Sequence, residues 1–187
     1  RSRVSSGKER RMKTYQYESE FVLRERRNPP ADASAPPAQW PVSNTRYVEY
    51  PANKGNTVVT SPYMLLVLAS QLQAQGPGQS REVLVLTDVN FYRVKLTSGN
   101  GIPVKAKYRV AGQPAISGTF DTIAVAIHAT PEGGLEDGND FSVLGLQGQI
   151  IIFFDAKSGL PLQIRGAAPR IGNTEINLKS ATLRTAP

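Results

Sequence analysis

Short apolar segments of strand length dominate the second half of the chain, and several of them are apolar on both faces. The clearest is residues 150–154, an unbroken Ile-Ile-Ile-Phe-Phe run that precedes a polar, glycine-containing turn. A strand with one face in water alternates apolar and polar residues, so an unbroken run indicates that both faces are covered. Residues 83–86 and 123–127 repeat the pattern. The need for cover on both sides therefore extends over several strands.

The spacing of these segments predicts an antiparallel meander after Gly78. Turn sequences that contain Gly, Asn, Asp or Pro separate the segments, as expected for strands joined by short connections. The predicted strands are residues 81–87, 91–97, 102–110, 119–129, 149–154, 160–165 and 174–183. Upstream, alternation over residues 12–25 predicts one long strand, and residues 47–50 and 57–60 predict two short ones.

One helix is predicted, over about residues 62–75. Ser61 is suited to the N-cap position, and Pro62 is suited to the first turn because its missing N–H costs nothing there. Gly76 and Pro77 supply the stop signal. The apolar stripe along this segment should pack against the sheet.

The size of that helix constrains the fold. A helix with its side chains is about 10 Å wide and strands lie about 4.8 Å apart, so one helix covers roughly two or three strands. The remaining apolar surface must be buried by curling of the sheet or left as a concavity for a ligand or partner. We therefore predict a mainly β, β-rich α+β fold: a strongly curled antiparallel meander, resembling an open barrel, packed around the helix at about 62–75.

The predicted domain organisation is a basic flexible tail over residues 1–11 and a single β-rich domain over residues 12–187. Residues 28–42 contain five prolines and no periodicity, which predicts a long loop within this domain. Trp40, the only tryptophan, lies near the end of the loop. We expect it to anchor the loop to the body, the alternative being a lip over a binding site.

The net charge of +7 is concentrated at the amino end. Residues 1–13 contain six Lys or Arg residues and one Glu, which gives +5 and leaves +2 for the rest of the chain. The simplest interpretation is a solvated terminus. The alternative is a segment attracted to anionic surfaces, since each Lys or Arg near such a surface contributes roughly 1 kcal/mol.

Catalytic chemistry is not indicated by the sequence. The absence of cysteine excludes disulfides, thiol nucleophiles and thiolate metal sites, but it does not identify the compartment. No nucleophile-elbow or phosphate-loop motif occurs. His128, the only histidine, lies on a predicted strand beside Ala124 and Ala126, and we interpret it as structural. We predict no catalytic residue and no cofactor, and therefore a protein that is not an enzyme.

An acidic loop over residues 130–141 is the only candidate for metal binding. Glu132, Glu136, Asp137 and Asp140 provide enough oxygen to attract calcium weakly, but their spacing does not match an EF-hand loop. We expect a solvated acidic loop and no metal.

The predicted site is an apolar concavity between the helix and the sheet. It would bind a lipid-like or other apolar group, or a strand or helix of an envelope protein partner. The candidate lining residues are Leu65, Leu68, Leu72, Phe91, Ile152, Phe154 and Ile164, with His128 as a polar contact.

An alternative function is suggested by residues 91–110. Phe91, Tyr92 and Tyr108 alternate with Arg and Lys residues there, which imitates a sheet that stacks nucleic-acid bases. Alternation of core and solvent positions explains the same pattern. We therefore consider nucleic-acid or anionic-surface binding, through these strands and the basic amino-terminal segment, the less favoured hypothesis.

Several segments in order resemble the bacterial domain of unknown function 3108 family. They are TSPYMLL at 60–66, GPG at 76–78, FYRV at 91–94, FD at 154–155, LPLQI at 160–164 and the strand at 176–183. The resemblance covers roughly residues 45–183. It implies an exported, β-rich protein of the bacterial envelope without an assigned reaction. The predicted architecture is also similar to that of periplasmic lipoprotein carriers, as an analogy of fold alone.

These observations together predict a non-enzymatic protein of the periplasm or cell envelope that binds an apolar ligand or partner, or acts as a scaffold. The longest apolar run of the predicted helix, residues 63–69, is far short of the ~20 residues that span a bilayer. Because the chain begins at Arg1 and its first methionine is Met12, we expect that an export signal or lipid anchor was removed. The ligand, the partner and the oligomeric state do not follow from the sequence.

Overall fold

The computed structural model describes residues 2–6, 9–30, 35–134 and 140–182. The chain divides into two compact units, Arg1–Gly55 and Asn56–Pro187. This division differs from the single domain expected over residues 12–187. The described parts of the basic segment, 2–6 and 9–11, lie in strands, because residues 2–6 pair antiparallel with residues 9–13.

The amino-terminal unit is a four-stranded antiparallel sheet in the order β1-β2-β3-β4. Its strands are β1 (Ser2–Ser6), β2 (Glu9–Tyr17), β3 (Phe21–Arg27) and β4 (Val42–Glu49). The prediction of one long strand over 12–25 is wrong, because a tight turn at residues 18–20 divides it into β2 and β3. The Glu18 N–H donates to the Phe21 carbonyl at 2.9 Å and closes this turn.

The proline-rich loop lies between β3 and β4 and contains a short 3₁₀ helix, Pro37–Gln39. Trp40 follows this helix and is 2% exposed. Its Nε1 donates to the Ala35 carbonyl at 2.8 Å, and the Arg27 guanidinium donates to the Trp40 carbonyl at 3.0 Å. The tryptophan therefore anchors the loop within its own unit, as the sequence predicts.

The carboxy-terminal unit contains two sheets and the α-helix. Its elements in chain order are β5 (Val59–Thr60), α1 (Met64–Gln73), β6 (Ser80–Leu86), β7 (Phe91–Asn100), β8 (Val104–Val110), β9 (Ala115–Phe120), β10 (Thr122–Pro131), β11 (Gln147–Asp155), β12 (Pro161–Ala168), β13 (Gly172–Asn177) and β14 (Ser180–Ala181). The main sheet has seven strands in the order β13-β12-β11-β10-β7-β6-β5, all antiparallel except the β5–β6 pair.

A second, three-stranded sheet has the order β14-β8-β9. The β8–β9 hairpin is inserted between β7 and β10, which pair with each other in the main sheet. Two predicted strands are therefore divided. The segment 119–129 changes sheet at Asp121, between β9 and β10, and the segment 174–183 changes sheet between β13 and β14.

The two faces of the main sheet are covered by different elements. The face toward α1 forms one core with the helix, which includes Val125, Ile127, Ile150 and Ile152. The opposite face packs against the small sheet and includes Phe153 and Leu162. The residues of β8 that point into this second core are Val104, Tyr108 and Val110. The two-faced apolar strands β10 and β11 are thus covered by α1 on one face and by the small sheet on the other.

The helix is shorter than predicted. It runs over Met64–Gln73, with Tyr63 at the N-cap and no side-chain cap. The N–H groups of Met64 and Leu65 donate to the carbonyls of Ser61 and Pro62, at 3.1 and 3.3 Å. Ser61 therefore precedes a tight turn and contributes its carbonyl, so the predicted N-cap role of its hydroxyl is wrong.

The predicted fold class is confirmed: the described chain is mainly β with one α-helix. The antiparallel meander of the sequence prediction is present as the β10-β11-β12-β13 succession. The described strands form separate sheets and no closed barrel.

Candidate functional site

An open groove lies beside α1 on the helix-covered face of the main sheet. The helix packs against β7, β10 and β11. Strands β12 and β13 continue the same sheet beyond the reach of the helix. This arrangement follows from the width of the helix, because a helix about 10 Å wide covers only two or three strands that lie about 4.8 Å apart.

The groove has a volume of about 420 Å³ and is largely apolar. Ile152, Phe154 and Ile164 border the groove on β11 and β12, but they are buried core residues with exposed fractions of 0%, 1% and 8%. The accessible apolar surface on this side comes mainly from Ile176 of the edge strand β13, which is 36% exposed. Leu66 and Ser70 of the helix form one side, and the remaining lining residues are Leu144, Pro161 and the segment 177–180. Its volume falls within the range of about 300–1,000 Å³ that is typical of small-molecule sites.

Lys179 is the one cation among the residues that line the groove. It is exposed, and no carboxylate in the described part of the chain lies within ion-pair distance of it. Ser70, Asn177 and Ser180 are polar lining residues as well. The groove therefore combines an apolar interior with one cation, which suits a ligand with an apolar chain and an anionic group.

The apolar surface continues from the groove over the outer side of the helix. At 100° per residue, Tyr63 and Val67 lie next to Leu66 and Ser70 around the helix axis. Their exposed fractions are 59% for Tyr63 and 46% for Val67. The groove is therefore the deep part of a wider apolar surface.

Three of the predicted site residues, Ile152, Phe154 and Ile164, border the groove, but they are also part of the buried helix-side core. Leu65, Leu68 and Leu72 belong to the core beneath the helix, where they fill the space that the prediction left open for a ligand. Phe91 is 5% exposed and lies outside the groove. That any of these residues binds a ligand stays a prediction.

His128 does not lie in the groove. The neighbouring residues Val125 and Ile127 point into the helix-side core. Because side chains alternate along a strand, His128 points to the opposite face of β10, where it is exposed. The structure therefore separates this histidine from the apolar candidates.

The sequence analysis missed Leu66, Ile176 and Lys179 as lining residues. Leu66 lies on the side of the helix stripe, and its partial burial depends on which strands the helix covers. Ile176 lies in a predicted strand, but its position at the sheet edge follows only from the strand order. The one signal that could have identified Ile176 is its pairing with Ile164 in the β12–β13 hairpin, which places two apolar residues side by side on one face.

The acidic loop is tied to the rest of the carboxy-terminal unit by two of its four acids. Asp140 accepts hydrogen bonds from the Thr87 hydroxyl at 2.8 Å, the Tyr92 hydroxyl at 3.0 Å and the Asn90 amide at 3.3 Å. Burial and the hydrogen bond to Asp140 raise the pKa of Tyr92. The Asp140 carboxylate is thus occupied by structural hydrogen bonds.

Glu132 forms a short ion pair with Arg93, which also pairs with Glu82 at 2.9 Å. The hydrogen bonds that Arg93 donates to Glu82 and Glu132 raise the pKa of Arg93. Glu136 and Asp137 lie outside the described residues. Within the described ranges, no cluster of three or more His, Asp or Glu residues could hold a metal ion.

The aromatic residues of the alternative, base-stacking surface are buried. Phe91, Tyr92 and Tyr108 are 5%, 1% and 5% exposed. Tyr92 and Tyr108 belong to the two cores of the carboxy-terminal unit, and none of the three rings is presented to solvent. The cations Lys105, Lys107 and Arg109 of the same segment are exposed on β8.

The helix of the described chain is too short to cross a membrane.

Comparisons of the chain with protein-family models, with curated proteins and with solved structures found no match. The resemblance to the domain of unknown function 3108 family therefore stays a prediction.

Proposed function

We propose that the protein is a non-enzymatic binding protein that holds the apolar chain of an anionic amphiphile in the groove beside α1. The observation that carries this proposal is the open groove of about 420 Å³, in which Ile176 and Leu144 are 36% and 48% exposed above a buried apolar floor and Lys179 is a further lining residue. The ligand class is a molecule with an acyl-like chain and a carboxylate, sulfate or phosphate group.

Burial of apolar area supplies the affinity in this proposal. Each Å² of apolar surface removed from water contributes roughly 25 cal/mol, so a chain that fills the groove gains several kcal/mol before the costs of binding. Lys179 favours an anionic group on the ligand, because its positive charge attracts a negative charge placed beside it.

The cellular location forms part of the proposal. We place the protein in the periplasm or cell envelope of a bacterium, on the basis of the family resemblance described for residues 45–183. Fractionation of cells that express the full-length protein, with immunodetection, tests this location. Recovery in the cytosol would contradict it.

The binding proposal is tested with two fluorescent probes, the anionic dye anilinonaphthalene sulfonate and the neutral dye Nile red. Ser70→Phe should fill the groove from an exposed helix position and reduce the affinity for both dyes about tenfold. Ile176→Gln should weaken both dyes because it removes apolar contact area. Ile171→Gln is the matched control, since Ile171 lies in the same hairpin, is 79% exposed and does not line the groove.

The charge preference is tested with Lys179→Gln. We expect weaker binding of the anionic dye and unchanged binding of Nile red. Lys157→Gln, an exposed lysine outside the groove, is the control. Native mass spectrometry of gently purified protein then searches for a retained amphiphile. Equal dye binding by the wild type, Ser70→Phe and Ile176→Gln would contradict the proposal and leave a scaffold role.

A further inference from the structure

Three cations form a row on the outer face of the small sheet. Lys105, Lys107 and Arg109 occupy alternate positions of β8 and are all exposed. The residues between them, Ala106 and Tyr108, point inward to the core that the small sheet shares with the main sheet. Alternate residues of a strand lie about 6.8 Å apart, so the row carries three positive charges within about 14 Å.

Hydroxyl groups flank the row on both sides. In the β8–β9 pair, Thr119 lies opposite Lys105 and Ser117 lies opposite Lys107. In the β14–β8 pair, Ser180 lies opposite Arg109. Side chains that are directly opposite in a sheet share one face. The face therefore presents cations and hydroxyl groups together, which are both donors to phosphate oxygens.

The cations of this row form no ion pair in the described part of the chain. None of its carboxylates forms an ion pair with Lys105, Lys107 or Arg109. Like charges at this spacing repel one another. The arrangement is typical of a surface that meets an anionic partner.

The chemistry of the face favours a lipid surface over nucleic acid. Binding of single strands relies on aromatic rings that stack on bases and contribute about 1–3 kcal/mol per base. The rings of this small sheet, Tyr108 and Phe120, pack against each other with centroids 5.9 Å apart and take part in the inner core. Ile102, just before β8 in the sequence, is an apolar residue that is 47% exposed.

The backbone of β8 is hydrogen bonded to a segment that lines the groove. The Arg109 N–H donates to the carbonyl of Lys179 at 3.1 Å, and both Lys179 and Ser180 line the groove. We propose that the outer face of the β14-β8-β9 sheet docks on an anionic phospholipid surface through Lys105, Lys107 and Arg109. The proposal goes beyond the binding function and does not require the groove to be occupied.

Sedimentation with vesicles tests this docking on the full chain. The protein is mixed with vesicles of phosphatidylcholine alone or of phosphatidylcholine with phosphatidylglycerol. We expect binding to the anionic vesicles only. Raising the salt from about 0.01 M to about 1 M shortens the Debye length from about 30 Å to about 3 Å and should release the protein.

The variant K105Q/K107Q/R109Q should lower the partition coefficient on anionic vesicles roughly 100-fold. Three charges at about 1 kcal/mol each correspond to about two factors of ten at 1.4 kcal/mol per factor. The matched control R81Q/K95Q/K157Q removes the same net charge from exposed positions outside this face and should change the coefficient less than about threefold. Far-UV circular dichroism should be the same for all three proteins.

Three outcomes would overturn the docking proposal: wild-type binding by K105Q/K107Q/R109Q, an equal loss in R81Q/K95Q/K157Q, or binding to single-stranded oligonucleotide without binding to vesicles. Failure here is distinguishable from failure of the proposed function. Ser70→Phe should lose dye and keep vesicle binding, whereas K105Q/K107Q/R109Q should lose vesicle binding and keep the neutral dye.

Discussion

The main sheet of the unit Asn56–Pro187 has apolar residues on both faces, and the elements that bury them differ in width. On one face lies α1, which packs on β7, β10 and β11 and leaves β12 and β13 beside an open groove. On the other lies a three-stranded sheet whose inner residues pack against Phe153 and Leu162. A sheet is as wide as its strand number, whereas a helix has a fixed width. The difference explains why the groove forms on the helix face.

The first prediction, with the largest expected effect, compares the truncation of one large apolar side chain on each face of the main sheet. Leu162 is fully buried in the sheet-side core, so Leu162→Ala should reduce the free energy of unfolding by about 2–5 kcal/mol. Ile176 is 36% exposed at the groove, so Ile176→Ala should cost about 1 kcal/mol or less. Urea unfolding followed by circular dichroism measures both values.

Equal losses for these two variants would mean that the groove is closed in solution and that Ile176 is buried there. An m-value that changes with either variant would indicate a change in the surface exposed on unfolding rather than a change in stability alone.

The second prediction concerns the point at which the chain leaves the main sheet for the small one. Gly101 follows β7, and its N–H donates to the Thr122 carbonyl at 2.9 Å. A Cβ added at Gly101 would lie 2.1 Å from the Thr122 Oγ1 and 2.6 Å from the Thr122 carbonyl oxygen. Gly101→Ala should therefore destabilise the protein by about 1–3 kcal/mol through overpacking.

Gly99 provides the matched control for this substitution. It lies on β7 two residues earlier, and a Cβ there would meet no atom within 4 Å. Gly99→Ala should leave the midpoint of thermal unfolding unchanged or raise it slightly, because alanine reduces the entropy of the unfolded chain. If both variants unfold at the wild-type temperature, the close approach at Thr122 is not maintained in solution.

Local patterns were sufficient to predict the strand-rich fold, the single helix and most strands of the main sheet. The segments 149–154 and 160–165 became β11 and β12 because their apolar runs and the intervening turn are local signals. The demand for two-sided cover also followed from the 150–154 run. These features depend on residues that are near each other in the sequence.

Features that depend on distant pairing were not predictable in the same way. The chain passes from the small sheet to the main sheet at Asp121. Because apolar residues lie on both sides of Asp121, the sequence pattern over 119–129 predicts one continuous strand. The division at residues 18–20 contains no glycine or proline and gives no turn signal. The lining of the groove depends on the strand order, which pairs Ile164 with Ile176. The helix beside them comes from a part of the chain about 90 residues earlier, so no local pattern predicts this arrangement.

The third prediction, with the smallest effect, uses a titratable group of the helix-side core. Tyr92 belongs to this core, packs on Phe141 with ring centroids 5.1 Å apart and donates to Asp140. Burial first, and the hydrogen bond to Asp140 second, raise its pKa above the ordinary value of 10.0. The unfolded chain therefore loses the tyrosine proton at a lower pH than the folded protein does.

The sign of the resulting pH dependence follows from proton counting. Above pH 10.0 and up to the raised pKa, the folded state holds more protons than the unfolded state, so stability falls as the pH rises. The stabilisation is fully present below pH 10.0 and is lost through that alkaline window. One proton corresponds to at most about 1.4 kcal/mol per pH unit.

Tyr92→Phe should cost about 1–2 kcal/mol at neutral pH and should reduce the alkaline loss of stability. The reason is that the hydroxyl donates one hydrogen bond to the Asp140 carboxylate and accepts another from the Asp140 N–H, and both are lost. Thr87→Val is the control, since it removes another donor to Asp140 and keeps the titrating hydroxyl. Urea unfolding at pH 8 to about pH 11 measures the slopes, with Thr87→Val expected to follow the wild type. If the stability of Tyr92→Phe falls with pH as steeply as that of the wild type, the alkaline loss of stability belongs to other groups. Burial also raises the pKa values of Tyr17 and Tyr50, which are therefore the next candidates.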